Sequence, residues 1–161
     1  MRLATLIHHD LRTQYRYGIV VALIVATGAY ALGLRLLGPI MTAELAAFIL
    51  YTESSVLGFF LLGGLTLLEA NEGGRTALGM TPVRSITYVL AKVLSLSLLC
   101  VAAGYLIALL GGLTLNPSLF LVIAVSSVFY TALGLAFSVR FSTITGYLFG
   151  GGAVLTLLIL P

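Results

Sequence analysis

Residues 119–139 read LFLVIAVSSVFYTALGLAFSV and contain no charged side chain over 21 positions. A helix rises about 1.5 Å per residue, so about 20 apolar residues cross the hydrocarbon of a bilayer. Backbone N–H and C=O groups find no water there, and a helix satisfies them within one segment. This stretch therefore predicts a transmembrane α-helix.

The composition of the whole chain agrees with that prediction. Of the 161 residues, 60% are hydrophobic and 8% are charged, whereas a soluble domain usually carries about 25% charged residues. The net charge is only +3, and the basic residues alternate with apolar runs. A nucleic-acid-binding protein clusters its basic residues on one face instead. The composition therefore predicts a protein surrounded by a lipid bilayer, with no nucleic-acid partner.

Similar apolar runs recur along the chain, and together they predict an all-α membrane protein with about five transmembrane helices. The spans are expected near residues 17–37, 51–68, 88–110, 119–139 and 143–160, within one transmembrane domain at residues 17–161. Gly and Pro pairs separate most of them. Residues 40–50 are apolar but too short to cross. They form either an outer interfacial helix or the start of a longer second helix.

The first 16 residues predict an amphipathic helix that lies on the inner membrane surface. Its apolar residues share one side, and most of its basic residues lie elsewhere. The apolar set is Leu3, Leu6, Ile7, Leu11 and Tyr15, and the second set is Arg2, His9, Arg12 and Arg16. Asp10 and Gln14 fall within the apolar stripe. Either they are hydrogen-bonded against the rest of the chain, or they contact a partner subunit.

The distribution of Lys and Arg predicts the orientation. Seven of these eight residues lie at or near the N-terminal segment, the loop at residues 69–87 or the loop after the fourth span. Only Arg35 lies near the opposite surface. Cytoplasmic loops carry the excess of Lys and Arg in membrane proteins. We therefore expect a multi-pass protein of the plasma membrane with a cytoplasmic N-terminus.

Catalytic and metal-binding signals are scarce. The sequence lacks the G-x-x-x-x-G-K-[ST], G-x-S-x-G, H-E-x-x-H and C-x-x-C patterns, so we predict no catalytic residue, no metal site and no cofactor on this chain. The only cysteine, Cys100, is expected to be an apolar packing residue. The spans also show no charged pairs, which argues against ion-coupled transport.

Glu53 is an unusual ionisable residue, because it lies within a predicted apolar stretch. A charge in hydrocarbon costs several kcal/mol, so such residues usually face a cavity or a partner. One interpretation places Glu53 on a translocation path that attracts cationic groups, with Ser55 and Phe59 as further candidates. The alternative is that Glu53 marks the outer water interface, since polar residues surround it.

The fifth span contains a G-x-x-x-G pattern at Gly146 and Gly150. Small residues at this spacing let two helix backbones approach closely. The pattern therefore predicts helix packing at these glycines, with a partner helix either in the same chain or across a dimer.

Residues 67–93 read LLEANEGGRTALGMTPVRSITYVLAKV and are the main polar interruption between spans. Residues 75–80 are long enough for about two helical turns. Thr81-Pro82 ends them, because a residue before proline disfavours the helical region. Ser85 is then a suitable cap for the next helix. Residues 69–87 are thus expected to be an inner-face loop that contains a short helix.

This segment resembles the first cytoplasmic loop of type 2 ABC transporter permeases, whose pattern is roughly E-x-G-T-x-x-A-L-x-x-T-P followed by Y-x-x-x-K. The matching positions are Glu72, Gly73 or Gly74, Ala77, Leu78, Thr81, Pro82, Tyr88 and Lys92. HHDLRTQYRYG at residues 8–18 and VLGFFLLGGLTLLE at residues 56–69 further resemble the fluoroquinolone-export branch. One departure is Gly73-Gly74-Arg75-Thr76, where the family usually has Gly-Thr and soon afterwards an acidic residue.

The resemblance implies a permease subunit of an ATP-binding cassette exporter. Its cargo would be amphipathic small molecules, with drugs such as fluoroquinolones among the candidates. A separate ATPase subunit would bind ATP and Mg, and a second permease subunit, identical or different, would complete the translocation path. The loop would hold a coupling helix that docks on the ATPase. The expected docking residues are Glu72, Arg75, Thr76, Leu78, Met80 and Thr81.

The family has six spans, and the resemblance therefore implies that this chain is truncated at its C-terminus. Two other functions remain open at this point. One is a transporter that needs no ATPase, and the other is a structural or assembly subunit of a membrane complex.

Overall fold

The computed structural model describes residues 3–38, 42–72, 85–113 and 116–159. Within these ranges the chain forms helices and no strand. The helices are α1 (Leu3–Arg16), α2 (Ile19–Leu37), α3 (Ala43–Asn71), α4 (Ser85–Leu110), α5 (Pro117–Ser138) and α6 (Ile144–Ile159). The predicted all-α class is therefore confirmed for the described part of the chain.

Four of these helices, α2 to α5, are long and apolar enough to cross a membrane. This finding supports the prediction of a membrane protein. The helix at the predicted fifth span, α6, is equally apolar but only 16 residues long, and about 20 residues are needed to cross the hydrocarbon. A fifth crossing, and the placement of α1 on a membrane surface, stay predictions.

The second long helix begins earlier than predicted. It starts at Ala43 instead of residue 51, and its 29 residues run without a break to Asn71. Thr42 caps it, because the Thr42 hydroxyl accepts a hydrogen bond from the backbone N–H of Leu45 at 3.2 Å. Residues 43–50 thus belong to the longer helix, which is one of the two alternatives for this region. The extension places Glu53 well inside the helix.

Helix α3 is the centre of the bundle and packs against α2, α4, α5 and α6. Its closest neighbour is α5, because small residues let the two backbones approach. A Cβ atom added at Gly134 of α5 would lie 2.9 Å from the Cα of Phe59. Tyr147 of α6 completes this group, since its hydroxyl donates a hydrogen bond to the Phe59 carbonyl at 2.6 Å.

The glycines of the G-x-x-x-G pattern pack within the chain. A Cβ atom added at Gly150 would lie 2.7 Å from Cζ of Phe141, a residue of the turn that precedes α6. A Cβ atom at Gly146 would lie 3.0 Å from Oγ1 of Thr143. Both glycines therefore make room for the side chains that lead into α6.

At the end of the bundle where α2 and α4 finish, Arg35 bridges the two helices. Its Nε donates a hydrogen bond to the carbonyl of Leu110 at 2.7 Å. The last carbonyls of a helix lack partners within that helix. Arg35 thus supplies a hydrogen-bond donor for one of these carbonyls. This contact gives the isolated basic residue at this end a structural role.

Candidate functional site

A buried polar cluster joins α1, α3 and α4. It lies near the end of α3 and the start of α4, the two helices that residues 73–84 connect. Lys92 of α4 lies at its centre and is only 1% exposed. Its ammonium forms an ion pair with Glu69 of α3, and its Nζ lies 3.7 Å from Oδ1 of Asp10 in α1. The Tyr88 hydroxyl donates to Oε2 of Glu69 at 2.9 Å. We call Asp10, Gln14, Glu69, Tyr88, Lys92 and Ser95 the root cluster.

The α1 side of the root cluster is held by hydrogen bonds. Gln14 is 0% exposed, and its Nε2 donates to Oδ2 of Asp10 at 2.7 Å and to Oγ of Ser95 at 3.0 Å. The Ser95 hydroxyl also donates to Asp10. Asp10 and Gln14 therefore pack against α4 and are hydrogen-bonded within the chain, the first of their two sequence-based interpretations.

The charges in this cluster are not balanced. One ammonium, that of Lys92, faces the two carboxylates of Asp10 and Glu69. Burial raises the pKa of Asp10 above its ordinary value of 3.8, while the Ser95 hydrogen bond and the Lys92 charge oppose that rise. Removing one member of a buried ion pair usually costs about 3–5 kcal/mol, because the other charge is left uncompensated. The cluster therefore links three helices, and the stability of this link depends strongly on each of its charged members.

No charged pairs were expected within the predicted spans, and Lys92 of the third span pairs with Glu69, one residue beyond the predicted second span. Glu69 and Lys92 lie on two of the helices that are long enough to span a membrane. The four-residue spacing of Tyr88 and Lys92 already indicates one helix face. Pairing between different helices has no comparable sequence pattern, so the Glu69 contact and the Asp10 contact required the tertiary structure.

Glu72, one of the predicted docking residues, lies at the end of α3 and is exposed. The hydroxyl of Tyr17, between α1 and α2, donates a hydrogen bond to its carboxylate. This hydrogen bond is the main cause that raises the pKa of Tyr17 above 10.0. The other predicted docking residues lie outside the described residues. They are Arg75, Thr76, Leu78, Met80 and Thr81.

Glu53 lies inside the bundle and is 0% exposed. It is ten residues from the start of α3, which corresponds to about 15 Å along the helix axis. Its Oε2 accepts a hydrogen bond from Ser54 at 3.3 Å, while its Oε1 has no hydrogen-bond partner among the described residues. Glu53 is thus buried by protein, and its two interpretations, a translocation path and the outer water interface, stay predictions. Buried ionisable residues of this kind are common on the transport paths of membrane proteins.

Ser55 and Phe59, the other candidates for a translocation path, are also buried. The Ser55 hydroxyl donates to the carbonyl of Tyr51 in its own helix at 2.6 Å. The Phe59 ring stacks on the Tyr147 ring, with 5.5 Å between their centroids. In this arrangement Phe59 packs into the α3–α5–α6 core, and Ser55 is hydrogen-bonded within α3.

An apolar groove of about 370 Å³ lies on the outside of the bundle between α2 and α4. Its walls are mostly aliphatic, with one hydroxyl side chain. The residues that line it are Val20, Leu23, Ile24, Thr27, Gly28, Leu99, Ala102, Ala103, Leu106 and Leu110. A second groove, of about 300 Å³, lies on the other side of α2 and includes Tyr30, Gly33 and Ile49.

Within the described ranges, no group of three or more His, Cys, Asp or Glu side chains is placed to hold a metal ion. Comparison of the chain with models of known protein families, with curated proteins and with solved structures finds no match.

Proposed function

We propose that this chain is a permease subunit of an ATP-binding cassette exporter for amphipathic small molecules. In this proposal residues 69–87 face the cytoplasm and dock on a separate ATPase subunit, which binds ATP and Mg. A second permease subunit, identical or different, completes the translocation path in the plasma membrane. We expect ATP hydrolysis on the ATPase subunit and no catalytic residue on this chain.

The observation that supports this proposal most is the position of the root cluster. It lies where α3 and α4 meet residues 73–84, and it links both helices to α1 through Lys92, Glu69 and Asp10. Tyr17 and Glu72 add a further link at the end of α3. A loop that receives force from another protein must be joined rigidly to the helices that it moves.

The physical basis is the transmission of a rigid-body motion. Packed helices that share buried ion pairs resist bending at the contact, because any separation leaves charges without partners. A displacement of residues 73–84 would then move the adjoining ends of α1, α3 and α4 together. Such concerted movement is the kind of switch by which transport proteins alternate between two arrangements.

Co-purification tests the docking role. The tagged chain is isolated gently from its native membranes, and ATP hydrolysis is measured in the eluted complex. Replacement of residues 75–81 by a Gly-Ser linker of equal length is expected to remove the hydrolysis while the helical bundle stays intact by circular dichroism. The same replacement at residues 112–116, between α4 and α5, serves as the control and is expected to retain it. Equal ATP hydrolysis in both variants would refute the proposal.

A transporter that needs no ATPase is the second candidate, and the burial of Glu53 favours it. Buried ionisable residues are common in ion-coupled transport paths. Uptake of a fluorescent substrate into inverted membrane vesicles, with and without ATP, separates the two functions. Uptake that depends on ATP supports the exporter, whereas uptake driven only by an ion gradient supports the second candidate. An assembly subunit would show neither.

A further inference from the structure

Glu53 of α3 is a fully buried acidic residue with a single hydrogen-bond partner among the described residues. Its Oε2 accepts a hydrogen bond from Ser54 at 3.3 Å, and its Oε1 has no partner there. Asp10 is also buried, but its Oδ1 lies 3.7 Å from the Lys92 ammonium and its carboxylate accepts a hydrogen bond from Ser95. An ionised Glu53 would therefore be a buried charge without a compensating cation in the described part of the chain.

The groups that face Glu53 from α2, α4 and α5 are neutral. Tyr30 of α2 and Cys100 of α4 lie close enough to be influenced by the Glu53 charge. A Cβ atom added at Gly104 of α4 would lie 3.5 Å from Oε2 of Glu53 and 2.9 Å from Cγ2 of Ile123 in α5. The carboxyl group is thus surrounded by a phenol, a thiol, helix backbone and an aliphatic side chain.

The basic residues of the surrounding helices have other partners. Helix α2 carries Arg35 alone, whose Nε donates to the Leu110 carbonyl at 2.7 Å. Helix α4 carries Lys92 alone, which pairs with Glu69. Lys92 is also twelve residues before Gly104, about 18 Å along the helix axis. Helices α5 and α6 carry no charged residue. The remaining described arginines are exposed, namely Arg12, Arg16 and Arg140.

A buried carboxyl group without a cation is more stable as a neutral acid. Moving an isolated carboxylate out of water costs far more free energy than moving a hydroxyl group, even one without a hydrogen-bond partner. We propose that Glu53 is a proton-binding site, which the packed bundle holds as a neutral carboxylic acid at neutral pH. An exposed glutamate is ionised at that pH, since its ordinary pKa is about 4.3. The proton is taken up as the helices pack around the side chain, so the packed state requires no channel to it.

A proton suits this site better than a metal ion, a water molecule or an organic cation. Hard metal cations take about six or more oxygen ligands, whereas Ser54 is the one described hydrogen-bond partner of Glu53. A water molecule would donate to Oε1 but would leave the negative charge in place. An organic cation needs an opening, and Glu53 lines neither of the two grooves beside α2.

This inference goes beyond the proposed function, because proton binding at Glu53 needs neither the ATPase nor the loop at residues 69–87. Loss of the proton would leave an uncompensated charge inside the bundle. Its release therefore requires water or a cation at the carboxyl group. Membrane proteins use buried acidic residues as proton relays, so Glu53 is the residue at which this chain would couple a transport step to protons.

Infrared spectroscopy of the full chain in maltoside micelles tests the protonation state, because a carboxylic acid has a C=O band that a carboxylate lacks. Maltosides have no ester carbonyl that would overlap this band. The chain has four Glu and one Asp. Cell-free synthesis with glutamate that carries carbon-13 in its side-chain carboxyl group therefore shifts a Glu53 band and leaves an Asp10 band in place. At neutral pH we expect one band that shifts.

A pair of variants assigns the band. Glu53→Gln keeps the shape of the side chain, removes the carboxyl group and is expected to lose the band completely. Glu44→Gln is the matched control, because Glu44 is an exposed residue of the same helix. It is expected to keep the band, since an exposed glutamate is ionised and does not contribute to it.

Proton release on unfolding gives a second measurement. The chain is unfolded by SDS in weakly buffered solution at neutral pH, and a pH indicator counts the protons released. The wild type is expected to release one proton more than Glu53→Gln, because the unfolded state exposes Glu53 and ionises it. Glu44→Gln is expected to release as many protons as the wild type.

Absence of a shifting glutamate band from the wild type at neutral pH would overturn the proposal, and this observation does not depend on the folding of any variant. A band that persists in Glu53→Gln belongs to another glutamate and would overturn it as well. Loss of the band on addition of NaCl, but not of choline chloride, at constant pH would identify a metal cation as the ligand instead. These measurements involve no ATPase, so their failure leaves the docking proposal intact.

Discussion

Lys92 of α4 and Glu69 of α3 form an ion pair across 23 positions of sequence, next to the segment that connects their helices. Lys92 is 1% exposed, so this pair is a structural element of the bundle and not a surface contact. Asp10 extends it to α1, with its Oδ1 at 3.7 Å from the Lys92 Nζ. The stability of three helices therefore depends on one ammonium group.

The first prediction concerns that ammonium group. Lys92→Met keeps an apolar chain of similar length but leaves Glu69 and Asp10 without a cation. We expect the variant to lose about 3–5 kcal/mol of stability, the usual cost of breaking a buried pair. Unfolding by SDS in mixed micelles measures the change. Arg140→Met, at an exposed position, is the control, and an equal loss in both variants would contradict the prediction.

The second prediction concerns pH. Burial raises the pKa of Asp10 in the folded chain above its ordinary value of 3.8. The folded state then binds a proton more tightly than the unfolded state, so its stability decreases as pH rises from about 3.8 through the raised value. Asp10→Asn is expected to remove this decrease. Thermal unfolding across pH 3–8 measures it, with Glu44→Gln as a control that keeps the wild-type slope.

The third prediction concerns Tyr17, whose hydroxyl donates a hydrogen bond to Glu72 at the end of α3. Tyr17→Phe removes that hydrogen bond and is expected to speed amide hydrogen exchange in residues 68–72. Tyr15→Phe is the matched control, because Tyr15 is 70% exposed. The Tyr17 titration is also expected above pH 10.0, since its pKa is raised mainly by this hydrogen bond. Unchanged exchange in Tyr17→Phe would show that the hydrogen bond does not hold the helix end.

The fourth prediction concerns the close approach of α3 and α5. An added Cβ at Gly134 would lie 2.9 Å from Cα of Phe59, and backbone atoms cannot move aside as a side chain can. Gly134→Ala is therefore expected to destabilise the bundle by about 1–3 kcal/mol through overpacking. Gly64→Ala, where no atom lies within 4 Å of the added Cβ, is the control. It is expected to be neutral or slightly stabilising, because alanine favours helices more than glycine does.

Helix class and membrane character followed from local patterns. The long uncharged runs predicted helices, and four of the helices are long and apolar enough to span a membrane. The second span was predicted from residue 51, and residues 43–50, predicted either to begin this helix or to form an interfacial helix, belong to α3. Residues 43–50 lack a helix breaker. Hydropathy alone does not show where a helix begins when the helix extends beyond its most apolar part. The G-x-x-x-G pattern predicted a partner helix for Gly146 and Gly150, whereas the atoms nearest to an added Cβ at these glycines belong to the side chains of Thr143 and Phe141.

Less of the candidate site than of the fold could be predicted from the sequence. Glu53 was noticed because a carboxylate in an apolar run is unusual, although its lack of a partner depends on which residues face it from α2, α4 and α5. The predicted docking residues beyond Glu72 lie outside the described residues, so they stay predictions. The pairing of Lys92 with Glu69 had no local signal, since the two residues belong to different helices.

By itself the sequence determined a helical chain suited to a bilayer, because hydrophobicity and backbone hydrogen bonding act over about 20 consecutive residues. Only the tertiary structure decided which buried charges are compensated. Lys92 meets Glu69 and Asp10, whereas Glu53 meets neutral groups. The physical reason is that electrostatic pairing depends on distances between side chains of different helices, and these distances are set by how the helices pack.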